Sequence, residues 1–395
     1  MVFMTNKIKS LRGLKKWHGK TVFLRVDFNV PIVNGKIRED YKIKSGLKTI
    51  EYLSDHGARV LIVSHLGDPA GMFEAAYSLR PVATRLRALL KRPIKFLPLD
   101  LKKSTKLIKA LPPGGLALLE NIRFYSGEYE NDVQLAKSLS ELADVYVNDA
   151  FAVSHRQQAS VSAIKKYLPA YAGLLLEDEV RALNKILQPK KPLVVVMGGA
   201  KIKTKAPLIK KLQQTASQIL LGGGLANTFF YVQGLEIGRS LFDSDGAKYV
   251  KKFFKNKKLS NKIKLPLDLI VKNRVGVVRV ASPQEIKKSD RILDIGPYTI
   301  AVYSAEIKKA KTLIWNGPMG KFEERSFRSG TLAMASLIAA RSSGIAYGVV
   351  GGGETVEALK LAQVEQYVDW VSTAGGAMLS YLSGEKMPGL SKIIN

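Results

Sequence analysis

Four segments in the first half of the chain gather residue types suited to a small ligand carrying anionic and hydroxyl groups. They are Arg25-Val26-Asp27-Phe28-Asn29, Ser64-His65-Leu66-Gly67, Glu120-Asn121-Ile122-Arg123-Phe124, and Asn148-Asp149-Ala150-Phe151 leading into Ser154-His155-Arg156. Each closes or follows an apolar run. Arginine forks grip phosphate or carboxylate, and Asn, Asp and His hydrogen-bond hydroxyls. Taken singly, each residue also reads as a cap or a surface group: Asp27 suits a turn and His65 a satisfied histidine. The second half collects glycines instead. Gly198-Gly199-Ala200-Lys201 is followed one helical turn on by Lys205, and Gly222-Gly223-Gly224 and Gly351-Gly352-Gly353-Glu354-Thr355 follow further apolar runs. Glycines let backbone N–H groups approach phosphate oxygens, and a helix opening there favours negative charge. A carboxylate and a hydroxyl beside it suit a phosphate-bound Mg²⁺. Neither GxxxxGK[ST] nor GxGxxG occurs; a single glycine triplet marks a turn, whereas three at strand ends, one with a lysine, point to phosphate.

The elements that position these groups are legible in the alternation of short β-branched runs with longer amphipathic stretches, which predicts βαβ units and a parallel sheet. Strands are expected at Thr21–Val26, Ala58–Ser64, Ile94–Leu97, Leu116–Glu120 and Asp144–Asn148 in the first half. The second half offers Leu193–Met197, Gln218–Leu221, Leu267–Val271, Thr312–Trp315, Ala346–Val350 and Trp370–Ser372. Asp132–Ala143 and Ser326–Ala340 read as helices, and LLLEDEVRALNKILQPKKP as a charged helix ending at Pro189. The expected class is α/β, with two doubly wound parallel-sheet (Rossmann-like) lobes joined by a hinge helix near 178–190. Ligands of such sheets bind beyond the carboxyl ends of the strands, where the polar and glycine-rich segments lie.

The length of 395 residues suits two domains. With no cysteine, disulfides, thiol catalysis and cysteine-ligated metals are excluded. The N-terminal stretch has no apolar core of signal-peptide length, and no run of 18 apolar residues occurs. A cytoplasmic location, no membrane partner and a monomer are therefore expected. The net charge of +29 stands out. It reads either as a polyanion partner, nucleic acid or a membrane surface, or as a basic solvated surface. The basic residues are spread out, the densest stretch being Lys251 to Lys264, and no nucleic-acid-binding motif is present, so the solvated surface is the reading adopted.

The segments RVDFNVP, SHLG, ENIRF, NDAFAVSHRQQAS, GGAKIKTK, GGGLANTF, SLFDSDGAK, LPLD, DIGP, WNGPMGKFE, GGGET and STAGGA occur in the order seen in phosphoglycerate kinases. The chain resembles that family from about residue 7 to its end. The resemblance implies reversible phosphoryl transfer between 1,3-bisphosphoglycerate and ADP, giving 3-phosphoglycerate and ATP, by direct in-line transfer with hinge closure and Mg²⁺. It implies an N-terminal 3-phosphoglycerate-binding lobe over 1–180, a nucleotide-binding lobe over 181–375 and a segment 376–395 returning to the first lobe. It places Asp27, Asn29, Lys42, His65, Arg123 and Arg156 on the 3-phosphoglycerate side. Lys201 and Lys205 fall on nucleotide phosphates, Gly222 and Gly223 on the adenine side, Asn316, Pro318 and Glu323 on the nucleotide, with Glu323 at the ribose. Gly352, Gly353 and Thr355 fall at the phosphates and Glu354 near Mg²⁺, with Lys42, Lys201 and Gly353 sharing the charge of the transferring group.

Four positions depart from the family pattern. Lys42 stands where the family has arginine, Asp68 where HLGRP has arginine, Glu354 where GGGDT has aspartate, and Ala374 where a glycine precedes the last pair. Lysine keeps the charge but loses the planar fork. Asp68 reverses a charge; it either repels an anionic ligand or pairs with a base such as Arg80 or Lys42. These departures raise a catalytically weak, nucleotide-binding homologue as the alternative.

Overall fold

The computed structural model describes residues 8–14, 16–255 and 261–394. The middle of the basic stretch singled out above, residues 256–260, lies outside them. The chain divides into two units, one running to Arg181 and taken up again from Lys386, the other spanning Ala182–Glu385.

The first unit is built on a six-stranded parallel sheet in the order Ile94–Leu97, Leu116–Leu119, Arg59–Val63, Thr21–Arg25, Val145–Asn148, Ala170–Ala172. Its central strands are buried along almost their whole length, which explains their continuous apolar runs. Helices are started by side chains the sequence supplies at the right place: Asp132 accepts from Leu135 N at 2.6 Å ahead of Val133–Ser140, and Asp100 from Lys103 N at 3.0 Å ahead of Leu101–Lys109. The register sets Arg25 level with both Val63 and Asn148. Asp27, His65 and Asp149 therefore leave the sheet along one edge, the carboxyl ends of three adjacent strands. From Lys386 onward the chain packs on this unit; Asn148 Nδ2 donates to Gly389 O at 3.0 Å and Lys9 N to Ile393 O at 2.8 Å.

The second unit has its own six-stranded parallel sheet, ordered Ile263–Lys264, Gln218–Leu221, Leu193–Met197, Thr312–Asn316, Tyr347–Gly351, Trp370–Ser372. Leu221, Asn316 and Met197 share one level, so the glycine segments that follow them also emerge at a common edge. Trp315, Tyr303 and Phe322 are the large side chains of the core beneath. The helix Gly376–Ser383 remains with this unit.

One expected strand joins a different sheet. Leu269–Lys272 pairs antiparallel with Val278–Ala281 and with Arg291–Ile295, forming a separate three-stranded sheet. Its apolar alternation resembles that of a half-buried parallel strand, and partner and direction are tertiary properties that periodicity does not carry. The helix Leu174–Leu187 covers the stretch read as a connector and crosses the boundary between the units at Arg181.

Candidate functional site

In the first unit the site rests on a buried ionic frame. Arg25, fully buried at the end of its strand, donates Nε to Ser160 Oγ at 2.9 Å and Nη1 to Val26 O at 2.6 Å. Glu128 lies 3.8 Å from the same guanidinium and accepts from Ser160 N at 2.8 Å and Ser160 Oγ at 2.7 Å. Burial pushes the Glu128 carboxyl up and Arg25 pulls it back, so each charge makes the other tolerable. Arg25 and Ser160 fall within the segments quoted above, without a role, and Glu128 does not. An arginine closing the apolar run TVFLRV was the available signal, since a charge that a buried strand carries needs a partner.

On this frame Asp27, Asn29, Lys42 and His65 come together. Lys42 Nζ donates to Asp27 Oδ2 at 2.8 Å, Asn29 N to Asp27 Oδ1 at 3.0 Å, and His65 Nε2 lies 4.0 Å from Asp27 Oδ1. Burial alone would raise the Asp27 carboxyl, but Lys42 and His65 overcome it and hold the group down at about 2. His65 sits well below its ordinary value, because burial and the cations Arg25, Arg123 and Lys42 outweigh Asp27. At neutral pH it is an uncharged imidazole beside an ionised carboxylate. Gly67, at φ +59°, adopts a left-handed conformation, and a Cβ there would meet the Tyr77 ring at 2.2 Å. Its N–H donates to Asn29 Oδ1 at 2.9 Å, tying the second loop to the first.

Arg123 is held from two sides. Asn121 Oδ1 accepts from its backbone N–H at 3.1 Å, and its Nη1 donates to Gly67 O. Its Nε and Nη2 are buried with no hydrogen-bond partner among the described residues. Burial and then the charge of Arg156 lower its pKa, so two cations face one region, with Arg156 itself exposed. Two desolvated, unpaired guanidinium donors are what a phosphate or carboxylate would satisfy. Asp68 pairs neither with Arg80 nor with Lys42. Its Oδ1 accepts from the Tyr129 hydroxyl at 2.6 Å and lies 3.7 Å from Arg123 Nη1, while Arg80 stacks over Phe96 and Lys42 is engaged by Asp27. The loop that follows Gly67 turns Asp68 toward Tyr129, a residue the sequence reading did not single out.

In the second unit the glycine loops lace together through backbone bonds. Gly199 N donates to Pro318 O at 2.8 Å, Gly223 N to Met319 O at 2.7 Å, and Leu225 N to Gly199 O at 2.8 Å. They border a cleft of about 250 Å³, lined among others by Gly223, Gly224, Pro318, Glu323 and Glu354. The opposite wall comes from the antiparallel sheet, with Leu269 and residues 291–295. Asp294 in that wall accepts from Gly330 N at 2.7 Å and Ile295 N at 2.9 Å, and burial pushes it up to about 7. In the sequence this wall shows only as DIGP, quoted for the resemblance with no role given to Asp294.

Several expected nucleotide residues lie behind the cleft. Lys205 is buried and donates to Gly198 O and, at 3.4 Å, to Asn316 O; burial pushes its ammonium down to about 8 while Glu354 draws it up. Asn316 donates to Gly351 O at 2.7 Å, and Thr355 Oγ1 accepts from Gly317 N at 2.7 Å. Gly222 packs so closely that a Cβ would meet Met319 Sδ at 2.6 Å. Gly352, at φ +104°, leaves room for Asn316 Nδ2, which a Cβ would approach to 2.9 Å. Lys201, Gly353 and Glu354 are exposed, the last two in the first turn of helix Gly353–Leu361. One exposed carboxylate at a helix start fits a Mg²⁺ that is held chiefly by phosphates and keeps its waters.

The sequence profile described as Phosphoglycerate kinase matches residues 12–385. A phosphoglycerate kinase of Desulforudis audaxviator is 42% identical over 383 residues, covering 95% of this chain and 97% of that protein. One from Novosphingobium aromaticivorans is 37% identical, covering 98% and 99%. The solved structure of phosphoglycerate kinase from Coxiella burnetii superposes with a TM-score of 0.86 at 39% identity, covering 98% of this chain and 99% of that one.

Proposed function

The chain belongs to the phosphoglycerate kinase family, and we propose that its two units divide the reaction, the first holding the three-carbon acid and the second the nucleotide. The enzyme is a phosphotransferase with a carboxyl group as acceptor, passing a phosphoryl group reversibly between 1,3-bisphosphoglycerate and ADP to give 3-phosphoglycerate and ATP. The observation that carries the assignment of the first unit is the pair of unpartnered buried donors on Arg123. With Arg156 they take the anionic end of the substrate, while Asp27, held ionised by Lys42, accepts from its hydroxyl.

The transferring phosphoryl group needs charge stabilisation and alignment rather than a covalent intermediate. Lys201 and the N-terminal amides at Gly353 share its charge with Lys42, which exchanges part of its bond with Asp27 for a phosphoryl oxygen. Neutral His65 donates or accepts a hydrogen bond without adding charge. Glu354, with the nucleotide phosphates, would hold Mg²⁺, which when bound would supply charge neutralisation to the phosphates. Gly223 and Pro318 flank the base, and Glu323 takes the ribose hydroxyls. Since each ligand is assigned to its own unit, transfer calls for closure, with Leu174–Leu187 as the hinge. A catalytically weak homologue has no observation in its favour.

The test is ATP formation by the purified chain from ADP, Mg²⁺ and 1,3-bisphosphoglycerate. Turnover well above background is expected. A folded protein that binds both ligands and gives none overturns the reading.

A further inference from the structure

The reaction just described draws on Lys42, Lys201, Arg123 and Arg156, which leaves most of the net charge of +29 without a role in it. The antiparallel sheet of the second unit offers one. Its hairpin Leu269–Lys272 to Val278–Ala281 sorts residues by face: Leu269, Val271 and Ala281 are buried, while Lys272, Val278 and Val280 are exposed. The register sets Lys272 opposite Val278 on one side and Arg291 on the other, so these three share the outer face. At the tip Val275 is 83% exposed and Val277 56% exposed, beside exposed Arg274. The tip is a built turn: Val277 N donates to Asn273 Oδ1 at 2.9 Å, and Asn273 N to Val277 O at 3.0 Å. No acidic residue occurs between Asp268 and Glu285. Arg279 faces the other way and is neutralised by Asp290 at 2.6 Å. Glu324, whose carboxyl is held down first by Lys321 and then also by Lys272 and Arg291, is already paired with Lys321.

We propose that this hairpin docks the protein peripherally on an anionic membrane surface, its valine tip entering the headgroup boundary while Lys272 and Arg274 meet lipid phosphates. Exposed aliphatic side chains in a cluster need an apolar partner, and the surrounding cations need an anionic one; an anionic bilayer offers both together. A second copy of this chain would set the same cations against themselves. Nucleic acid would match the charge, but the hairpin has no aromatic side chain on which bases could stack. The docking is peripheral: no helix among the described residues is long and apolar enough to cross a membrane.

The test is co-sedimentation of the full chain with phosphatidylcholine vesicles carrying about one third phosphatidylglycerol. Wild type is expected to sediment with them at moderate salt and to stay in solution with pure phosphatidylcholine. The double variant Val275→Ser/Val277→Ser should bind roughly tenfold or more weakly, as should Lys272→Glu/Arg274→Glu. Lys102→Glu/Lys103→Glu, the same charge change on an exposed helix of the first unit, should alter binding less than about twofold. Melting curves matching wild type establish that the variants are folded. The proposal is overturned if wild type ignores the anionic vesicles, if the valine pair binds as tightly as wild type, or if the Lys102/Lys103 pair loses as much as the hairpin pair. It is equally overturned if a polyuridine oligonucleotide binds more tightly than the vesicles through Lys272 and Arg274 with no contribution from the valines.

Discussion

Tyr129 donates its hydroxyl hydrogen to Asp68 at 2.6 Å, and the accepting oxygen lies 3.7 Å from the Arg123 guanidinium. Burial and Asp68 together push the Tyr129 phenol up to about 12, so it remains a donor across the physiological range. Arg123 is held through Gly67 O and Asn121, and its guanidinium also lies over the Tyr129 ring, 5.5 Å from the centroid. Asp68 is 76% exposed, and we propose that it acts on Arg123 as a competing anion more than as a brace.

Asp68→Asn keeps an acceptor for Tyr129 and removes the competing charge. At low salt the KM for 3-phosphoglycerate should fall a few-fold, in keeping with a surface pair worth up to about 1 kcal/mol. The gain should shrink as salt rises. A higher KM would mean that Asp68 orients Arg123 and that the anionic end of the substrate depends on it.

The Lys42–Asp27 pair has a pH signature. Asp27 is held at about 2 in the folded protein, against 3.8 for the ordinary carboxyl. Its stabilising contribution is therefore complete above about pH 4 and is lost as pH falls through 2; the shift corresponds to about 2 kcal/mol. Lys42→Ala removes the cation and leaves the burial, so the Asp27 titration, followed by carboxyl carbon NMR, should move up from about 2. Turnover should fall by about a hundredfold or more, as when a charge-stabilising donor is lost. Lys42→Arg should keep the titration low and hold or raise kcat. A fully active Lys42→Ala enzyme would remove Lys42 from the catalytic set.

Lys201 and Lys205 resemble each other in sequence and differ in place. Lys205 ties Gly198 to Asn316 from behind the loops, and Lys201 is exposed. Lys205→Met strands the Gly198 carbonyl, while Asn316 O keeps the Gly198 N–H, and should lower the melting temperature of the nucleotide-free protein by roughly 2–10 °C, from a loss of about 1–3 kcal/mol. Lys201→Ala should leave the melting temperature unchanged and lower kcat by roughly 10²–10³. A Lys205→Met protein that melts like wild type yet binds ATP weakly would return Lys205 to the phosphates.

The contrast marks how far the sequence could be read. Strand ends carrying Asp27, His65 and Arg123 were legible because apolar runs stop where polar residues begin, and three adjacent parallel strands stop at one level. The same holds for Gly198, Gly222 and Asn316. What was not legible depends on through-space pairing. Glu128 neutralising Arg25 lies 103 positions away, and the partner of Asp68 was sought among Arg80 and Lys42 because Tyr129 lies 61 positions on. Leu269–Lys272 joined an antiparallel sheet because strand direction is set by neighbours, not by period. Lys205 reads as a phosphate ligand by type; its burial and its bonds to Gly198 O and Asn316 O are not legible in the sequence.

Glu354 offers the last test, because its carboxylate has two separable effects. It stands exposed in the first turn of Gly353–Leu361, where the proposal has it meet the nucleotide's Mg²⁺, and its charge helps to hold up the ammonium of Lys205, which burial has lowered to about 8. Glu354→Gln should raise the Mg²⁺ concentration needed for half-maximal activity several-fold, while the affinity for metal-free ADP changes little. Glu354→Asp restores the carboxylate one methylene shorter and should recover most of the metal response. Removing the charge should also move the Lys205 titration below about 8. Since Lys205 braces the loops as an ammonium, nucleotide binding by Glu354→Gln should weaken with rising pH earlier than in wild type, and Glu354→Asp should reverse that shift. An unchanged Mg²⁺ dependence in Glu354→Gln would take Glu354 out of the metal's surroundings; an unchanged alkaline limb would mean that the Lys205 brace does not feel it.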